Sequence, residues 1–360
     1  RNRLRQQEVM DGIRVIRVWS FITANEGFFL RILDYVSFMF SSIIASLFVR
    51  KVDILIGTSP QFFTACAAFV AAFLKRRPWI FELRDIWPES IRAVGAMKQS
   101  AALRFLEKLE LFLYRRATGI VSVTKAFKDN LIGRGIHGDK IHVITNGVDA
   151  SRYSPREKDE TLVRTLGLDG KFVAGYIGTH GMAHALETVI EAARLCREVG
   201  DGGDRYRFLL LGDGSEKARL KERAGAEGLD NVIFLDSVPK DEVADYWSIL
   251  DVAIIHLRKT ELFKSVIPSK LFECMGMGIP VLHGVEGEST EIVEREEVGL
   301  PFEPENPQEL LDGLLRLDRD EALRQRLQAQ GPKAARRYDR AVLASRMLEV
   351  IDRVAVRESA

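Results

Sequence analysis

The stretch 264–273, KSVIPSKLFE, brings together residue types that suit a phosphorylated sugar. Pro268 has a fixed φ and no N–H group, and both properties suit the first turn of a helix. Lys270 and Glu273 would then lie one turn apart on the same helix face. The free N–H groups of residues 265–269 would lie at the positive end of the helix dipole, where a diphosphate binds favourably.

These residues predict a nucleotide-sugar site in outline. Lys270 would lie beside the diphosphate, and the carboxylate of Glu273 would accept hydrogen bonds from sugar hydroxyls. The alternative is an amphipathic helix with one solvent-exposed pair of opposite charges, since such pairs at i,i+3 spacing are common and weak. The residues by themselves leave both interpretations open.

The sequence around this pair resembles the donor-site signature of GT-B glycosyltransferases of family 4. The shared pattern is Pro268, Lys270 and Glu273, followed by a turn of small residues and then Pro280. The resemblance runs over nearly the whole chain and is strongest to bacterial enzymes of the O-antigen and colanic-acid type. One departure is Ser265, which stands where the family has a first glutamate for the hydroxyls of the donor sugar.

The order of the predicted elements indicates an α/β fold. Apolar segments that predict strands, such as Trp79–Leu83, Phe172–Ile177 and Val252–His256, alternate with predicted helices, such as Ala101–Arg116. This alternation is typical of parallel sheets that are covered on both faces. The resemblance implies the GT-B arrangement, in which two Rossmann-like domains with parallel sheets face a central cleft.

Four segments follow from this order. They are an amino-terminal acceptor-side domain over 1–149, a polar linker over 150–170, a nucleotide-sugar-binding domain over 171–336, and a helix over 337–360. In the resembled family the last helix crosses back to the first domain. The family also has a first strand and a Gly-rich turn before the point where this sequence begins, so we expect the amino-terminal element to be missing.

The loop 178–181, GTHG, follows a predicted strand and precedes a predicted helix, where glycines let the backbone approach a phosphate. In the resembled family an arginine and a lysine near this loop hold the diphosphate, whereas this chain has Thr179 or His180, and His184, at those places. The resemblance also implies a turn behind the donor and a loop that contacts the base. The predicted donor-binding residues are Gly178, His180, Gly181, Gly214, Val238, Lys264, Ser265, Pro268, Lys270 and Glu273.

A second candidate site lies at the carboxyl end of the strand predicted within 78–89, where open α/β sheets bind ligands. The resembled family often has a histidine there, and this chain has Arg84 followed by Asp85. Asp85 would accept the proton of an acceptor hydroxyl, while Arg84 would hold an acceptor phosphate or shield developing charge. The alternative is a structural network of charges. The predicted acceptor side is completed by Ser59, Trp87 and Asn146.

Several functional classes are disfavoured by what the sequence lacks. No G-x-G-x-x-G follows a predicted strand, which argues against a dehydrogenase. The histidines show no metal-ligand spacing, and Asp85 has no acidic neighbour in an Asp-x-Asp pattern. We therefore predict no cofactor and no metal site, with Lys270 and its helix N-terminus doing what a divalent ion does elsewhere.

Composition and length suit a two-domain globular protein. The chain has 360 residues, of which 46% are hydrophobic and 29% are charged. Cys66, Cys196 and Cys274 are far apart in apolar contexts, which predicts neither disulfides nor a metal site and fits a reducing cytosol.

Charge is divided unevenly along the chain. Residues 1–150 contain 22 Lys and Arg against 13 Asp and Glu, whereas residues 151–360 contain 30 against 38. A basic first half suggests an anionic partner, either a membrane surface or a phosphorylated acceptor, and the alternative is an accident of surface composition. We predict no nucleic-acid partner.

The most apolar segment of the sequence bears on the membrane. Its uninterrupted part, residues 35–49, is 15 residues long, which is short of the ~20 that a helix needs to cross a bilayer. A buried core helix is the first interpretation, an interfacial helix is the second, and a membrane span is the last. Basic residues flank the segment at Arg31, Arg50 and Lys51, and the cluster 75–77 follows.

Together these observations predict a retaining, metal-independent glycosyltransferase. It would move a sugar, with an N-acetylated amino sugar as one candidate, from a nucleoside diphosphate donor such as a UDP-sugar to a polyprenyl-diphosphate-linked saccharide. The expected setting is the synthesis of lipopolysaccharide or another bacterial surface polysaccharide by a cytoplasmic protein, peripheral at the inner face of the cell membrane. The rivals are a nucleotide-sugar epimerase on the same fold and a non-catalytic nucleotide-sugar-binding protein.

Overall fold

The computed structural model describes residues 5–22, 28–86 and 101–356. These residues form two compact units. Unit 2 is 145–344, and unit 1 comprises the chain on either side of it. Each unit contains a parallel β-sheet with helices packed around it, which confirms the predicted α/β class.

The amino-terminal part of unit 1 is a β-hairpin. Strands β1 (Arg5–Met10) and β2 (Ile13–Val18) pair antiparallel. Asp11 and Gly12 form the turn with φ values of 49° and 79°. A two-residue turn with positive φ at both positions matches the twist of the strands and favours Asp-Gly. The Asp-Gly dipeptide between the two strands is thus the sequence signal of this hairpin.

The main sheet of unit 1 has the strand order β3-β4-β5-β6. Its strands are β3 (Leu55–Thr58), β4 (Trp79–Leu83), β5 (Gly119–Ser122) and β6 (Ile141–Val143). The helices are α1 (Phe28–Leu47), α2 (Phe62–Lys75), α3 (Ala101–Arg116) and α4 (Lys125–Gly133). The central strands β4 and β5 are nearly all buried and apolar, as parallel strands covered on both faces must be.

Helix α1 has one packed face and one exposed face. Met39 packs against the core of unit 1, whereas Phe40 on the same helix is 58% exposed. Phe48, which follows the end of the helix, is 70% exposed. Helix α1 is thus only partly a core helix, and the interfacial interpretation stays a prediction. Among the described helices, none is long and apolar enough to cross a bilayer.

The sheet of unit 2 has the strand order β12-β11-β10-β7-β8-β9. The strands are β7 (Phe172–Ile177), β8 (Tyr206–Leu211), β9 (Val232–Leu235), β10 (Val252–His256), β11 (Val281–Gly284) and β12 (Gly299–Pro301). The helices are α5 (Glu160–Thr165), α6 (Glu187–Cys196), α7 (Lys217–Ala226), α8 (Val243–Ser248), α9 (Lys270–Met277), α10 (Glu288–Glu296), α11 (Pro307–Arg319), α12 (Glu321–Ala335) and α13 (Arg340–Val356). The ends of β7, β8 and β10 carry the loops that form the candidate site.

The segment 150–170, predicted as a linker, is packed into unit 2 instead of connecting two units. Tyr153 and Leu168 are buried in its core, and Asp159 caps the short helix α5 by accepting hydrogen bonds from the first-turn N–H groups. The polar composition of the segment concealed these apolar anchors. The compact unit itself begins at Thr145.

Helix α13 begins in unit 2 and ends in unit 1. At its start, Arg340 donates its backbone N–H to the carbonyl of Val148 at 2.9 Å. Near its end, Val350 and Val354 are buried with Ile80 and Val121 of the unit 1 sheet. The boundary between the two compact units thus falls within this helix.

Candidate functional site

Helix α9 places Lys270 and Glu273 in its first turn, as the spacing after Pro268 predicts. Ser269 precedes the helix with αR geometry and no side-chain cap, and Leu271 donates its N–H to the carbonyl of Pro268 at 3.0 Å. Leu271 and the next buried side chains fix the helix on the core of unit 2. The first turn thus holds a cation and a carboxylate at the positive end of the helix dipole.

The ammonium group of Lys270 is buried although the residue as a whole is only partly so. Among the described residues its Nζ has no hydrogen-bond partner, and it lies 3.6 Å from the centroid of the Tyr176 ring. A Cβ added at Gly178 would lie 2.8 Å from this Nζ, so the glycine lets the lysine approach. Burial lowers the pKa of Lys270 to about 7. The interpretation as a solvent-exposed ion pair is therefore wrong.

Tyr176 of β7 contacts both the ammonium group of Lys270 and the loop that follows β7. Its hydroxyl donates a hydrogen bond to the carbonyl of Thr179 at 2.8 Å, and its face receives the Lys270 ammonium. The rings of His180 and His184 lie 5.9 and 5.7 Å from the Tyr176 ring. Burial raises the pKa of Tyr176, so the hydroxyl stays protonated and keeps its bond to the loop.

The glycines of the β7 and β8 loops pack against each other. A Cβ at Gly212 would lie 1.9 Å from the carbonyl oxygen of Gly178, and one at Gly214 would lie 2.4 Å from that of His180. All three glycines have φ between 143° and 157°, which side-chain-bearing residues rarely adopt. The His180 N–H donates to the carbonyl of Asp213 at 2.8 Å. These glycines are therefore required for the contact between the two loops.

His180 and His184 are neutral groups in this site. Both ring nitrogens of the fully buried His180, and Nδ1 of His184, have no hydrogen-bond partner among the described residues. Burial, with a smaller effect of nearby lysines, lowers the pKa of each to about 4. Each imidazole can therefore bind a ligand as a neutral hydrogen-bonding group, whereas the positive charge has to come from Lys270.

His256 at the end of β10 holds this loop from behind. Its Nε2 accepts a hydrogen bond from the Glu305 N–H at 2.9 Å, so the ring proton lies on Nδ1, which donates to the carbonyl of His184 at 2.7 Å. Arg258 donates its N–H to the carbonyl of Ala183 at 2.8 Å. The β7 loop is thus held from the side of β10, in addition to its contacts with the β8 loop on the other side of β7.

Glu273 is held by a tryptophan. The indole N–H of Trp247 donates to Oε2 of Glu273 at 3.2 Å, and Trp247 itself is fully buried. Burial raises the pKa of Glu273, although this indole bond and the charges of Lys270 and Lys240 act in the opposite direction. Val238, which was predicted to contact the base, packs on the same core.

Lys264 and Ser265 have partners of their own. Lys264 lies 2.7 Å from a carboxylate oxygen of Glu261 and 3.7 Å from one of Glu286. The Ser265 hydroxyl donates to the carbonyl of Leu262 at 2.7 Å. None of these contacts involves Lys270, and the predicted help of Lys264 in holding the donor stays a prediction.

In unit 1, Ser59 connects the carboxyl ends of β3 and β4. Its Oγ accepts hydrogen bonds from the N–H groups of Arg84 at 2.9 Å and Asp85 at 3.3 Å. Glu82 pairs with Arg84 at 3.3 Å and accepts a bond from the Thr58 hydroxyl at 2.6 Å. This network agrees with the structural alternative for Arg84, and the catalytic roles of Arg84 and Asp85 stay predictions.

Of the two other predicted acceptor residues, the structure describes one. Trp87 lies outside the described residues. Asn146 is partly buried in unit 2, next to Gly147, where a Cβ would lie 2.1 Å from the carbonyl oxygen of Tyr338. The sequence missed Tyr176, Trp247 and His256, for which only their places at strand ends or on a buried helix could have been signals.

Two family models match the chain. Residues 158–334 match the model of glycosyl transferases group 1, and residues 1–152 match that of glycosyltransferase family 4. Among the relatives, a GDP-mannose-dependent alpha-mannosyltransferase of Mycobacterium tuberculosis is 26% identical over 52% of this chain and 44% of its own length. A putative colanic acid biosynthesis glycosyl transferase of Escherichia coli, WcaI, is 24% identical over 69% and 61%. The chain thus spans about half the length of the curated relatives that it matches.

Solved structures establish the fold. HepE of Anabaena in complex with UDP is 19% identical, with a TM-score of 0.74 over 89% of this chain and 83% of that one. The same protein in complex with UDP-glucose gives a TM-score of 0.72 at 18% identity, over 91% and 84%. The predicted GT-B fold is confirmed. Both halves of the chain match models of glycosyltransferase domains, in agreement with the predicted enzyme class.

Proposed function

We propose that this chain, whose two halves match glycosyltransferase models, transfers a sugar from a UDP-sugar to a lipid-linked saccharide with retention of anomeric configuration. The observation that carries the proposal is the buried ammonium group of Lys270. It lies at the N-terminal turn of α9 and has no hydrogen-bond partner within the part of the chain that the structure describes. The residues around Lys270 indicate which ligand would pair with that ammonium group.

A buried cation without a partner is costly in a protein interior. The penalty amounts to several kcal/mol, and a partial neutralisation through a lowered pKa is the usual response. Tyr176 offers only the face of its ring, which is worth about 2 kcal/mol for a desolvated cation. A diphosphate would supply the missing negative charge, which supports a nucleoside diphosphate as the ligand of this group.

The surroundings of Lys270 suit the other parts of such a donor. His180 and His184 have ring nitrogens that bond to none of the described residues and could hydrogen-bond phosphate oxygens or sugar hydroxyls. Glu273 is held by Trp247 one turn along α9, where its carboxylate would accept the hydroxyls of the ribose. The presence of UDP and UDP-glucose in HepE supports uridine as the base.

The same groups explain how transfer would be assisted. When the bond between sugar and diphosphate breaks, negative charge develops on the leaving UDP, and Lys270 with the N-terminus of α9 would stabilise it. Asp85 would accept the proton of the attacking hydroxyl, and Arg84 would hold an acceptor phosphate. These acceptor-side roles of Asp85 and Arg84 are predicted from the sequence alone. The place of Asn146 on the acceptor side is predicted in the same way.

The lipid-linked acceptor rests on three supports. Relatives named in colanic acid biosynthesis match the chain at 24–28% identity. The first part of the chain is basic, and helix α1 exposes large apolar side chains. A polyprenyl-diphosphate-linked saccharide at the cytoplasmic face of a bacterial membrane combines these properties, and surface-polysaccharide synthesis is the corresponding role.

Titration calorimetry with UDP-glucose, UDP-N-acetylglucosamine and GDP-mannose tests the donor part of the proposal. We expect binding of at least one UDP-sugar by the wild type and its loss in Lys270→Met. Absence of binding for every nucleotide-sugar would overturn the proposal. Incubation with the bound sugar and no acceptor, followed by NMR, separates the epimerase, which would release an epimerised nucleotide-sugar.

A further inference from the structure

A cleft in unit 1 lies at the amino-terminal ends of strands β4 and β5, whereas Arg84 and Asp85 follow the carboxyl end of β4. It has a volume of about 730 Å³, and its lining includes the aromatic residues Phe69, Phe73 and Trp79 and the guanidinium groups of Arg76, Arg77 and Arg116. Trp79 begins β4, and Arg84 follows the end of the same strand. We call this cavity the arginine cleft.

The arginine cleft has an excess of positive charge. Its lining, as far as the structure describes it, includes no Asp or Glu. Within the described ranges, none of its three guanidinium groups has a carboxylate at ion-pair distance, and Arg116 lies 5.7 Å from the centroid of the Phe112 ring. Helices α2 and α3 both end at the cleft, and their negative ends help to keep these cations there.

Aromatic rings pack against one another in the wall of the cleft. The Phe69 ring lies 5.9 Å from the Trp79 ring and 5.4 Å from that of Phe112, in an edge-on arrangement with the latter. The indole N–H of Trp79 is used internally, because it donates to the carbonyl of Arg116 at 3.1 Å. The backbone N–H groups of Arg76 and Arg77 bond to carbonyls of α2. The side chains of the arginines are therefore what the cleft offers to an anion.

Two apolar side chains of the lining are exposed beside these cations. Phe73 and Leu74 are 69% and 53% exposed. Such exposure is unfavourable in water but suits the headgroup region of a bilayer, where cations meet phosphates and apolar side chains meet acyl chains. Aliphatic side chains such as Leu74 do not stack on bases, which disfavours a nucleic acid.

We propose that the arginine cleft binds the phosphate groups of anionic membrane lipids, with Phe73 and Leu74 inserted between the headgroups. The proposal deepens the proposed function and rests on it for its purpose, since a lipid-linked acceptor is presented at a membrane surface. It differs from docking through α1 alone. It also assigns Lys75 to another task, because its ammonium group donates to the carbonyls of Leu47 and Val49 at the end of α1.

Co-sedimentation with vesicles tests the arginine cleft. Wild-type protein should bind vesicles that contain phosphatidylglycerol, bind pure phosphatidylcholine far more weakly, and dissociate as salt is raised. The triple variant Arg76→Gln, Arg77→Gln, Arg116→Gln should lose about a hundredfold in partitioning, since each cation near an anionic surface contributes several-fold. Phe73→Ser with Leu74→Ser should lower binding to both kinds of vesicle.

A matched control removes three exposed cations from unit 2, namely Lys221→Gln, Arg319→Gln and Arg326→Gln, and should bind vesicles like the wild type. Equal losses in the control and the cleft variant, or wild-type protein that does not sediment at low salt, would overturn the proposal. Calorimetry with UDP-glucose on the cleft variant separates the two ideas: unchanged donor binding with lost vesicle binding supports the cleft, whereas failure of the wild type to bind any nucleotide-sugar contradicts only the donor site.

Discussion

Lys270 in unit 2 and the guanidinium groups of the arginine cleft in unit 1 are both cations without a carboxylate at ion-pair distance among the described residues, but they differ in exposure. The ammonium of Lys270 is buried against Tyr176, whereas Arg76, Arg77 and Arg116 reach water. A buried cation is governed by desolvation and therefore by pH, and exposed cations are governed by screening and therefore by salt. The two anion sites should thus respond to different variables.

Replacing Lys270 should have the largest effect and would separate function from stability. Lys270→Met removes an unpaired buried charge at similar volume, so the free energy of unfolding should rise by about 1–3 kcal/mol. The same change should weaken UDP-glucose binding by about a hundredfold or more, because a charge-assisted contact to the diphosphate is lost. Denaturant unfolding and calorimetry measure the two effects.

Lys217→Met is the matched control for that change. Lys217 lies beside the same loops, but its ammonium donates to the carbonyls of Gly212 and Leu235 and to the carboxylate of Asp236. Removing this satisfied cation should lower stability. A Lys270 variant that is less stable than the wild type would show that its ammonium group is better compensated than the geometry indicates.

Glu273→Ala should have the next largest effect. Loss of the carboxylate removes the proposed acceptor of the ribose hydroxyls, and donor binding should weaken by one to a few kcal/mol, at about 1–3 kcal/mol for each charge-assisted bond. Glu273→Gln keeps an oxygen that can accept from Trp247, so it should fold more stably than the alanine variant. Unchanged UDP-glucose affinity in Glu273→Ala would refute the assignment.

The pH dependence of donor binding is a third test. Lys270 has a pKa lowered to about 7 in the free protein, and a bound diphosphate would favour its charged form. Above pH 7 binding should therefore take up a proton, and donor affinity should fall by up to tenfold per pH unit. Calorimetry in buffers of different ionisation enthalpy measures that proton. An affinity that is constant between pH 6.5 and 8.5 would contradict a neutral Lys270.

The stability of the free protein should change in the opposite direction. Below pH 7 both the folded and the unfolded chain carry the charge of Lys270, and the folded chain bears the full penalty of burying it. Between about 7 and the ordinary value of 10.5, the unfolded chain holds a proton that the folded chain has released, so stability rises with pH. Lys270→Met should remove this contribution from the pH profile.

The smallest expected effect is that of metal removal. Positive charge at the donor site is supplied by Lys270 and the N-terminus of α9, so turnover should be unchanged after treatment with EDTA. Complete loss of activity, restored by added Mg²⁺ or Mn²⁺, would show that a divalent ion carries the diphosphate. Turnover, which depends on the buried Lys270, should change little with salt. Vesicle binding by the exposed arginines of the cleft should weaken as salt is raised.

Much of the fold could be predicted from local patterns. Strands β4, β7 and β10 are mostly apolar runs, and the sequence predicts their ends to the residue. Strand β1, Arg5–Met10, has no such apolar pattern, because it is mostly exposed and polar. Segment 150–170 was misjudged because a few buried anchors are hidden among many charges.

At the candidate site, only contacts between residues that are close in the sequence could be predicted. Pro268 and the i,i+3 spacing placed Lys270 and Glu273 together because both lie in one helical turn. The ring under Lys270, the indole that holds Glu273 and the histidine behind the loop come from β7, α8 and β10. Such contacts depend on tertiary packing, for which a single sequence contains no local signal.

The interlocked glycines of the β7 and β8 loops limit how this site can diversify. Any side chain at Gly178, Gly212 or Gly214 would meet backbone or the Lys270 ammonium at less than 3 Å. Variation in donor preference therefore has to come from neighbours that do not take part in that contact, such as the exposed Thr179 and Met182. A library for altered sugar specificity is best built at these two positions, with the three glycines kept constant.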